Sequence, residues 1–338
     1  MNNYWAFLEM RSSTDLIGDR AALQERLHED SYLYFPHALD PAKIQSLRTR
    51  ILEVLASQGW IYKGEYLDKA LSIIPPLQEG EAEWLRTYDL VQHVEEFHTL
   101  AHDDALVAIM RDVVGDHAFP HPLKIVRLAF PNSWEVATPP HQDYPNNQGT
   151  PNLTASWIPA GDCPKTMGGL AVLRGSHRAG VLPLDLHPGA GNRQAILPPE
   201  LLEEHRWVTT DFEAGDVLLF PSTTVHASMN NATDSIRVSV DFRYQDEGEA
   251  LTPLVLEPHF QLSSWDSIYE GWSSTEYQYY WRDLDYEVVP FEDFDLVSGP
   301  APAEMSPEEL WGTLHQQNVR HERRMARLTE AGVFGDGS

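Results

Sequence analysis

The chain has 338 residues, a formal net charge of −27 and a single cysteine, so its length suits one large domain or two modest ones. The negative charge argues against nucleic acid and membrane surfaces as partners, because both present phosphate groups. One cysteine excludes an intramolecular disulfide and any metal site built from several cysteines. The first residues lack the pattern of a secretory signal, and no apolar run approaches the ~18 residues of a membrane span. We expect a cytoplasmic protein with one domain over residues 1–338.

Helical patterns dominate an N-terminal flank over residues 1–120. Asp40 can cap a helix whose first position Pro41 can occupy, and Gly59 can end it. We interpret these helices as scaffold. The predicted elements are a helix around 21–27, a short strand at 32–36, a helix from 41 to 59, and helices at about 88–100 and 104–113.

From Pro122 the pattern changes to short β-rich runs separated by Gly, Pro, Asn and Asp. Strands without crossover helices indicate an antiparallel fold, and their number suits a jelly roll with its core at 121–245. The runs lie near 123–130, 141–144, 153–158, 169–174, 207–212, 216–220, 225–228 and 235–244.

Two later segments each leave two interpretations open. The loop at 178–205 is rich in Pro and Gly and is either a lid over a site or an inert insertion. The aromatic and acidic segment at 265–294, within a C-terminal extension at 246–338, either packs onto the core or a second subunit, or lines a substrate pocket. Ser306 and Pro307 predict the start of a terminal helix.

The first two candidate metal ligands, His141 and Asp143, lie in the run His141-Gln142-Asp143. On an extended strand, His141 and Asp143 point to the same side and could converge on one ion. His226, at the end of a later apolar strand, is the candidate third ligand. Two histidines and one carboxylate are the set that non-heme Fe(II) oxygenases use. The alternative is a solvated strand end, and His177 is more typical of a turn than of a ligand.

Arg237 follows His226 by eleven residues, in a run that alternates strictly between apolar and polar residues from Ile236 to Arg243. The pattern predicts a strand with a polar inner face. A buried guanidinium needs an anionic partner and suits a carboxylate through two parallel contacts, to which Ser239 could add a hydroxyl. The alternative is that Arg237 pairs with Asp241 or another protein carboxylate.

Together these features resemble the phytanoyl-CoA dioxygenase-like family of Fe(II)- and 2-oxoglutarate-dependent oxygenases. The resemblance covers roughly residues 25–245 and also draws on Trp157 and on the run from Gly168 to His177. It implies a mainly β fold with helical flanks, a double-stranded β-helix (jelly roll, cupin-like). It also implies that His141, Asp143 and His226 hold Fe(II) and are the catalytic centre, and that Arg237 binds the distal carboxylate of 2-oxoglutarate.

By this resemblance the chain is expected to be a dioxygenase that uses O2 to oxidise an unactivated C–H bond of a small organic metabolite in secondary metabolism, with release of succinate and CO2. Gln142 and Trp157 would border the co-substrate pocket, and Lys124 or Arg127 would add a polar contact. The excess of carboxylates argues against an acyl-CoA substrate. The sequence leaves open whether the protein forms a homo-oligomer. The alternatives are a cupin-like metalloenzyme without 2-oxoglutarate and a non-catalytic jelly-roll binding protein.

Overall fold

The structure is a computed structural model that describes residues 7–133, 137–186 and 190–292. Within these residues, no helix combines the length and the apolar character that crossing a membrane requires. The terminal helix predicted from Ser306 lies outside the described residues.

Helices form most of the N-terminal flank, as predicted. The Asp40 carboxylate accepts a hydrogen bond from the Ala42 amide at 2.8 Å and caps the longest of them. The predicted single helix at 88–100 is wrong, because Val94 adopts an extended conformation (φ −73°, ψ 112°) and separates two helices. The helices are α1 (Arg20–Asp30), α2 (Pro41–Ser57), α3 (Ala82–Gln92), α4 (Glu95–Thr99), α5 (Asp104–Val113), α6 (Tyr144–Asn147), α7 (Pro199–Glu204) and α8 (Trp265–Ile268).

The strands form two main sheets and one hairpin. They are β1 (Leu8–Glu9), β2 (Leu33–Phe35), β3 (Ala118–Pro120), β4 (Ile125–Ala129), β5 (Thr154–Pro159), β6 (Leu170–Leu173), β7 (Leu184–Leu186), β8 (Arg193–Ala195), β9 (Trp207–Thr209), β10 (Val217–Pro221), β11 (His226–Ser228) and β12 (Arg237–Asp246).

The larger sheet has the order β2-β10-β5-β12-β3, with β4 also paired to β12, and the smaller has the order β1-β9-β6-β11. Strand pairs are antiparallel in both sheets except for the short β1–β9 pair. The strands β7 and β8 form the separate hairpin within the 178–205 loop. The mainly β, jelly-roll fold with helical flanks is confirmed.

Two apolar cores lie on opposite faces of the larger sheet. Helices α2, α3 and α5 pack on one face, where Val238, Val240 and Phe242 of β12 are buried. The other face packs against the smaller sheet, with Trp157 and Phe220 meeting Val172. The alternation predicted for β12 is confirmed, and it leaves a row of polar side chains between the sheets.

The aromatic C-terminal segment forms its own buried cluster, built around Trp265, Ile268, Tyr269 and Trp281. Trp265 also lies against His98 of α4, with their ring centres 5.9 Å apart. For these residues the packing interpretation holds, since they secure the segment to the helical flank.

Candidate active site

The three candidate ligands converge, although not in the way that the strand pattern predicted. His141 pairs as an isolated bridge with His226 of β11, but Asp143 has helical backbone angles (φ −74°, ψ −32°) and precedes α6. The predicted strand at 141–144 is therefore wrong. The Tyr144 amide donates to the Ser222 carbonyl at 2.9 Å, and the chain turns into α6 there. This turn, rather than strand alternation, brings Asp143 to the histidines.

The ligand atoms of His141, Asp143 and His226 all lie within 4.8 Å of one another, and all three side chains are buried. The Nε2 atoms of both histidines lie 3.9 Å from the same carboxylate oxygen, Oδ1 of Asp143. The described residues contain no other such group of three. One oxygen and two nitrogens thus face a common point, as a two-histidine, one-carboxylate metal site requires.

Both imidazoles are prepared to act as ligands. Nδ1 of His141 lies 2.9 Å from the Pro139 carbonyl oxygen, and Nδ1 of His226 lies 3.0 Å from that of Thr224. A carbonyl can only accept, so each Nδ1 carries the proton and each Nε2 keeps its lone pair. Burial lowers the pKa of both histidines, which keeps them neutral. The donor set therefore fits an iron ion.

The carboxylate of Asp143 is held by Arg243, a residue that the sequence placed on the polar face of β12 without a role. Nε of Arg243 donates to Oδ2 at 3.2 Å, and Nη2 donates to Oδ1 at 3.0 Å. Burial alone would raise the pKa of Asp143, but the positive charge of Arg243 and its hydrogen bonds outweigh burial and lower that pKa. Asp143 is thus a carboxylate at neutral pH.

Arg237 is buried and forms no ion pair with any described residue. Its Nη1 donates to the Ser239 hydroxyl at 2.8 Å and its Nη2 to the Ser228 hydroxyl at 3.0 Å, while its Nε has no partner among the residues that the structure describes. Burial lowers the pKa of Arg237. Asp241, the alternative partner, accepts instead from Nε of Arg127 at 3.0 Å. A buried cation without a counter-ion is suited to an anionic ligand.

A cavity between the two sheets connects the candidate ligands to Arg237. Trp157 forms one wall, with its ring centre 5.7 Å from the Arg237 guanidinium carbon. Phe220 packs against the His226 ring at 4.4 Å between centres. The lining residues are Arg127, Thr138, His141, Ala155, Ser156, Trp157, Leu170, Phe220, His226, Ser228, Arg237, Asp241 and Arg243.

Four candidates from the sequence are not among these lining residues. Asp143 and Ser239 are hydrogen-bonded to lining residues, Arg243 and Arg237 respectively, whereas Gln142 and Lys124 make contacts elsewhere. Gln142 donates to the Gly180 and Thr223 carbonyls and accepts from the Leu182 amide, so its amide group anchors the start of the 178–205 loop. Lys124 donates to the Tyr280 hydroxyl at 3.1 Å. Side chains alternate along an extended chain, so Lys124 and Arg127, three residues apart, point to opposite faces, and only Arg127 reaches the cavity.

The 178–205 loop contacts the site through its hairpin. Gln194 of β8 bridges to His141, and a Cβ at Gly191 would lie 3.2 Å from Nδ1 of His141 and 2.8 Å from Cγ2 of Thr138. Gly191 also has a φ of +63°, which disfavours other residues. The backbone therefore covers His141 at van der Waals distance. His177, by contrast, lies beside His28, with ring centres 5.8 Å apart, and is not a ligand of this site.

Comparison with known proteins gives relatives along most of the chain. A 1-deoxypentalenic acid 11-beta-hydroxylase from Streptomyces arenae is 26% identical over 268 residues, which cover 73% of this chain and 90% of the relative. The same enzyme from Streptomyces exfoliatus is 25% identical over 262 residues, covering 71% and 88%. The solved structure of SnoN, a non-heme alpha ketoglutarate dependent epimerase from nogalamycin biosynthesis, is 20% identical with a TM-score of 0.48, covering 70% of this chain and 86% of its own.

The family model for phytanoyl-CoA dioxygenase (PhyH) matches residues 27–239. This match contains His141, Asp143, His226 and Arg237 and ends at Ser239, four residues before Arg243. It spans more than half of the chain. The chain therefore belongs to the phytanoyl-CoA dioxygenase family, and the buried triad is its candidate iron site.

Proposed function

We propose that this protein, an Fe(II)- and 2-oxoglutarate-dependent oxygenase by family and by donor set, hydroxylates an unactivated C–H bond of a small organic metabolite in secondary metabolism. The observation that carries the proposal is the pairing of two features at one cavity: a buried triad with two neutral histidines, and a buried guanidinium to which the described part of the chain offers no counter-ion. The similar hydroxylases act on 1-deoxypentalenic acid, a small molecule of the kind that we propose.

His141, Asp143 and His226 would hold the iron. This donor set would leave part of the ion accessible from the cavity. Bound iron supplies the oxidation of a C–H bond by O2, coupled to the conversion of 2-oxoglutarate to succinate and CO2. The chain orients the ligands, because the Pro139 and Thr224 carbonyls accept hydrogen bonds from the imidazoles of His141 and His226.

Arg237 would bind the distal carboxylate of 2-oxoglutarate. Two of its nitrogens already donate to the hydroxyls of Ser228 and Ser239, which hold the guanidinium plane in place from one side. Within the described ranges, its Nε has no partner and its guanidinium forms no ion pair, which leaves the charge available. The Trp157 ring restricts the guanidinium from another side. A carboxylate that entered would therefore meet an already oriented partner, which reduces the entropic cost of binding.

The substrate that we propose is not an acyl-CoA. Among the described residues at the cavity, Arg127, Arg237 and Arg243 are matched by Asp143, Asp241 and the Arg127 partner Glu79. Fe(II) and the two carboxylates of 2-oxoglutarate also balance each other. The site thus offers no excess positive charge for phosphate groups, and the whole chain carries a net charge of −27.

The test measures succinate release by the purified protein supplied with Fe(II), 2-oxoglutarate and O2. We expect succinate only when all three are present, with an increase on addition of a substrate. O2 consumption without succinate would favour a cupin-like metalloenzyme instead. A protein that binds neither iron nor 2-oxoglutarate would be a jelly-roll binding protein and would overturn the proposal.

A further inference from the structure

We propose that Arg243 is a positioning residue that orients the Asp143 carboxylate for metal binding. The proposal rests on the triad's role as a metal site. Arg243 lies beyond the residues that match the family model, and its side chain and that of Asp143 are both about 3% exposed. Their two hydrogen bonds, at 3.0 and 3.2 Å, join two of the three guanidinium nitrogens, Nη2 and Nε, to the two carboxylate oxygens.

The two contacts determine which oxygen faces the histidines. Oδ1 lies 3.9 Å from each Nε2, whereas Oδ2 accepts from Nε of Arg243. Among the described residues, Arg243 donates both hydrogen bonds that reach this carboxylate. Without them the carboxylate plane could rotate freely, since a terminal carboxylate torsion is soft. A two-pronged contact removes that freedom in a way that a single hydrogen bond does not.

Arg243 is itself held by a chain of alternating charges. Its Nη2 lies 3.8 Å from Oδ2 of Asp241, and Asp241 accepts from Nε of Arg127 at 3.0 Å. Nη1 of Arg127 then lies 3.0 Å from Oε2 of Glu79, in the segment before α3. The series Glu79–Arg127–Asp241–Arg243–Asp143 thus links the helical flank to the candidate iron ligand.

This chain of charges also explains how Asp143 can be paired with a cation and still bind a metal. An isolated Arg–Asp pair would neutralise the carboxylate and compete with the metal for it. Here Asp241 shares the charge of Arg243, and Glu79 and Asp241 share that of Arg127. Three carboxylates against two guanidinium groups leave one net negative charge. Asp143 is thus oriented by Arg243 and retains charge for the ion.

The experiment titrates Co(II) into the metal-free full-length protein without 2-oxoglutarate, following the visible spectrum of bound Co(II). Loss of a residue that orients a metal ligand typically weakens metal binding by about 10- to 100-fold. We expect Arg243→Gln to show a loss of that size and an altered spectrum, and Arg243→Lys to recover part of the affinity. Arg48→Gln is the matched control, because Arg48 donates to two backbone carbonyls away from the cavity. It should bind Co(II) like the wild type.

Three results would overturn the proposal. Arg243→Gln could bind Co(II) within about twofold of the wild type with an unchanged spectrum, well short of the expected loss. A separate titration of 2-oxoglutarate into the Co(II)-loaded variant could show that only 2-oxoglutarate affinity is lost. Arg243 would then be a co-substrate contact through Nη1, which has no partner among the described residues. If the wild-type protein binds no Co(II), the triad is not a metal site. This result distinguishes a failure of the proposed metal site from a failure of the role proposed for Arg243 alone. If Arg243→Gln does not fold, the Co(II) titration is carried out on Arg243→Lys, which keeps a charge opposite Asp143. Co(II) affinity equal to that of the wild type would then overturn the proposal.

Discussion

The guanidinium of Arg237 lies over the Trp157 ring, 5.7 Å from its centre, and this relationship explains how a cation without an ion pair is kept between two sheets. The ring offers its negative face, which compensates part of the desolvation of the charge. Trp157 and Arg237 come from the neighbouring strands β5 and β12. The cavity therefore holds a buried, oriented cation that is suited to an anionic ligand.

Replacing this arginine tests that site. Arg237→Lys should raise the 2-oxoglutarate concentration needed for half-maximal succinate release, because an ammonium cannot reproduce a two-pronged contact. The loss of one charge-assisted hydrogen bond is about 1.5 to 3 kcal/mol, or roughly ten- to hundredfold. Iron content should not change. Arg174→Lys, at a partly exposed arginine that pairs with the buried Asp30 and does not line the cavity, is the control; equal 2-oxoglutarate dependence in both variants would refute the assignment.

Removal of the candidate ligands should abolish iron binding and turnover. His141→Ala and His226→Ala should fold normally, because neutral imidazoles leave no buried charge behind. Asp143→Ala should also lose about 3 to 5 kcal/mol of stability, because it strips Arg243 of its closest partner. Iron content, succinate release and urea unfolding measure these effects. A variant with wild-type iron content would show that its residue is not a ligand.

Lys124 gives a prediction on the pH dependence of stability. Burial lowers the pKa of Lys124 from 10.5 to about 7. Between those values the unfolded chain binds a proton that the folded protein does not, so the stability from this group rises with pH. The rise from about pH 7 to about pH 9 amounts to about 2 to 3 kcal/mol.

Urea unfolding of Lys124→Met should lack this rise, because methionine does not titrate. Lys63→Met, at an exposed lysine, should follow the wild-type profile. If Lys124→Met and the wild type had parallel profiles, the amine would be charged in the folded protein.

The substrate class can be tested with two panels of compounds. Succinate release above the substrate-free rate should appear with uncharged or zwitterionic metabolites and not with acyl-CoAs, because the cavity charges are balanced. Tight coupling of succinate release to any acyl-CoA would contradict this prediction. A matched acid without the CoA group controls for the acyl chain.

Much of the site could be inferred from the sequence because it depends on local periodicity. The alternation in β12 placed Arg237 and Ser239 on one face, and the structure shows them hydrogen-bonded. The role of Arg243 could not be inferred, although it lies on that same face. Its partner Asp143 is 100 residues away in the chain, and no local pattern indicates which carboxylate a guanidinium will meet.

The other differences from the sequence-based expectations have the same origin. The strand predicted at 141–144 was wrong because the turn after Asp143 is fixed by a hydrogen bond to Ser222 in another part of the chain. Gln142 lies between two candidate ligands, yet its amide group is bonded to carbonyls of distant loops. Tertiary contacts, rather than local propensity, decided both positions.

The close approach of Gly191 to His141 limits how this enzyme can be redesigned. The hairpin that carries Gly191 is an obvious segment to randomise when a new substrate is sought. Any side chain at Gly191 would press on Thr138 and on the protonated side of the His141 ring. Libraries that vary this hairpin should therefore keep glycine at position 191, because a side chain there would displace His141, a candidate iron ligand.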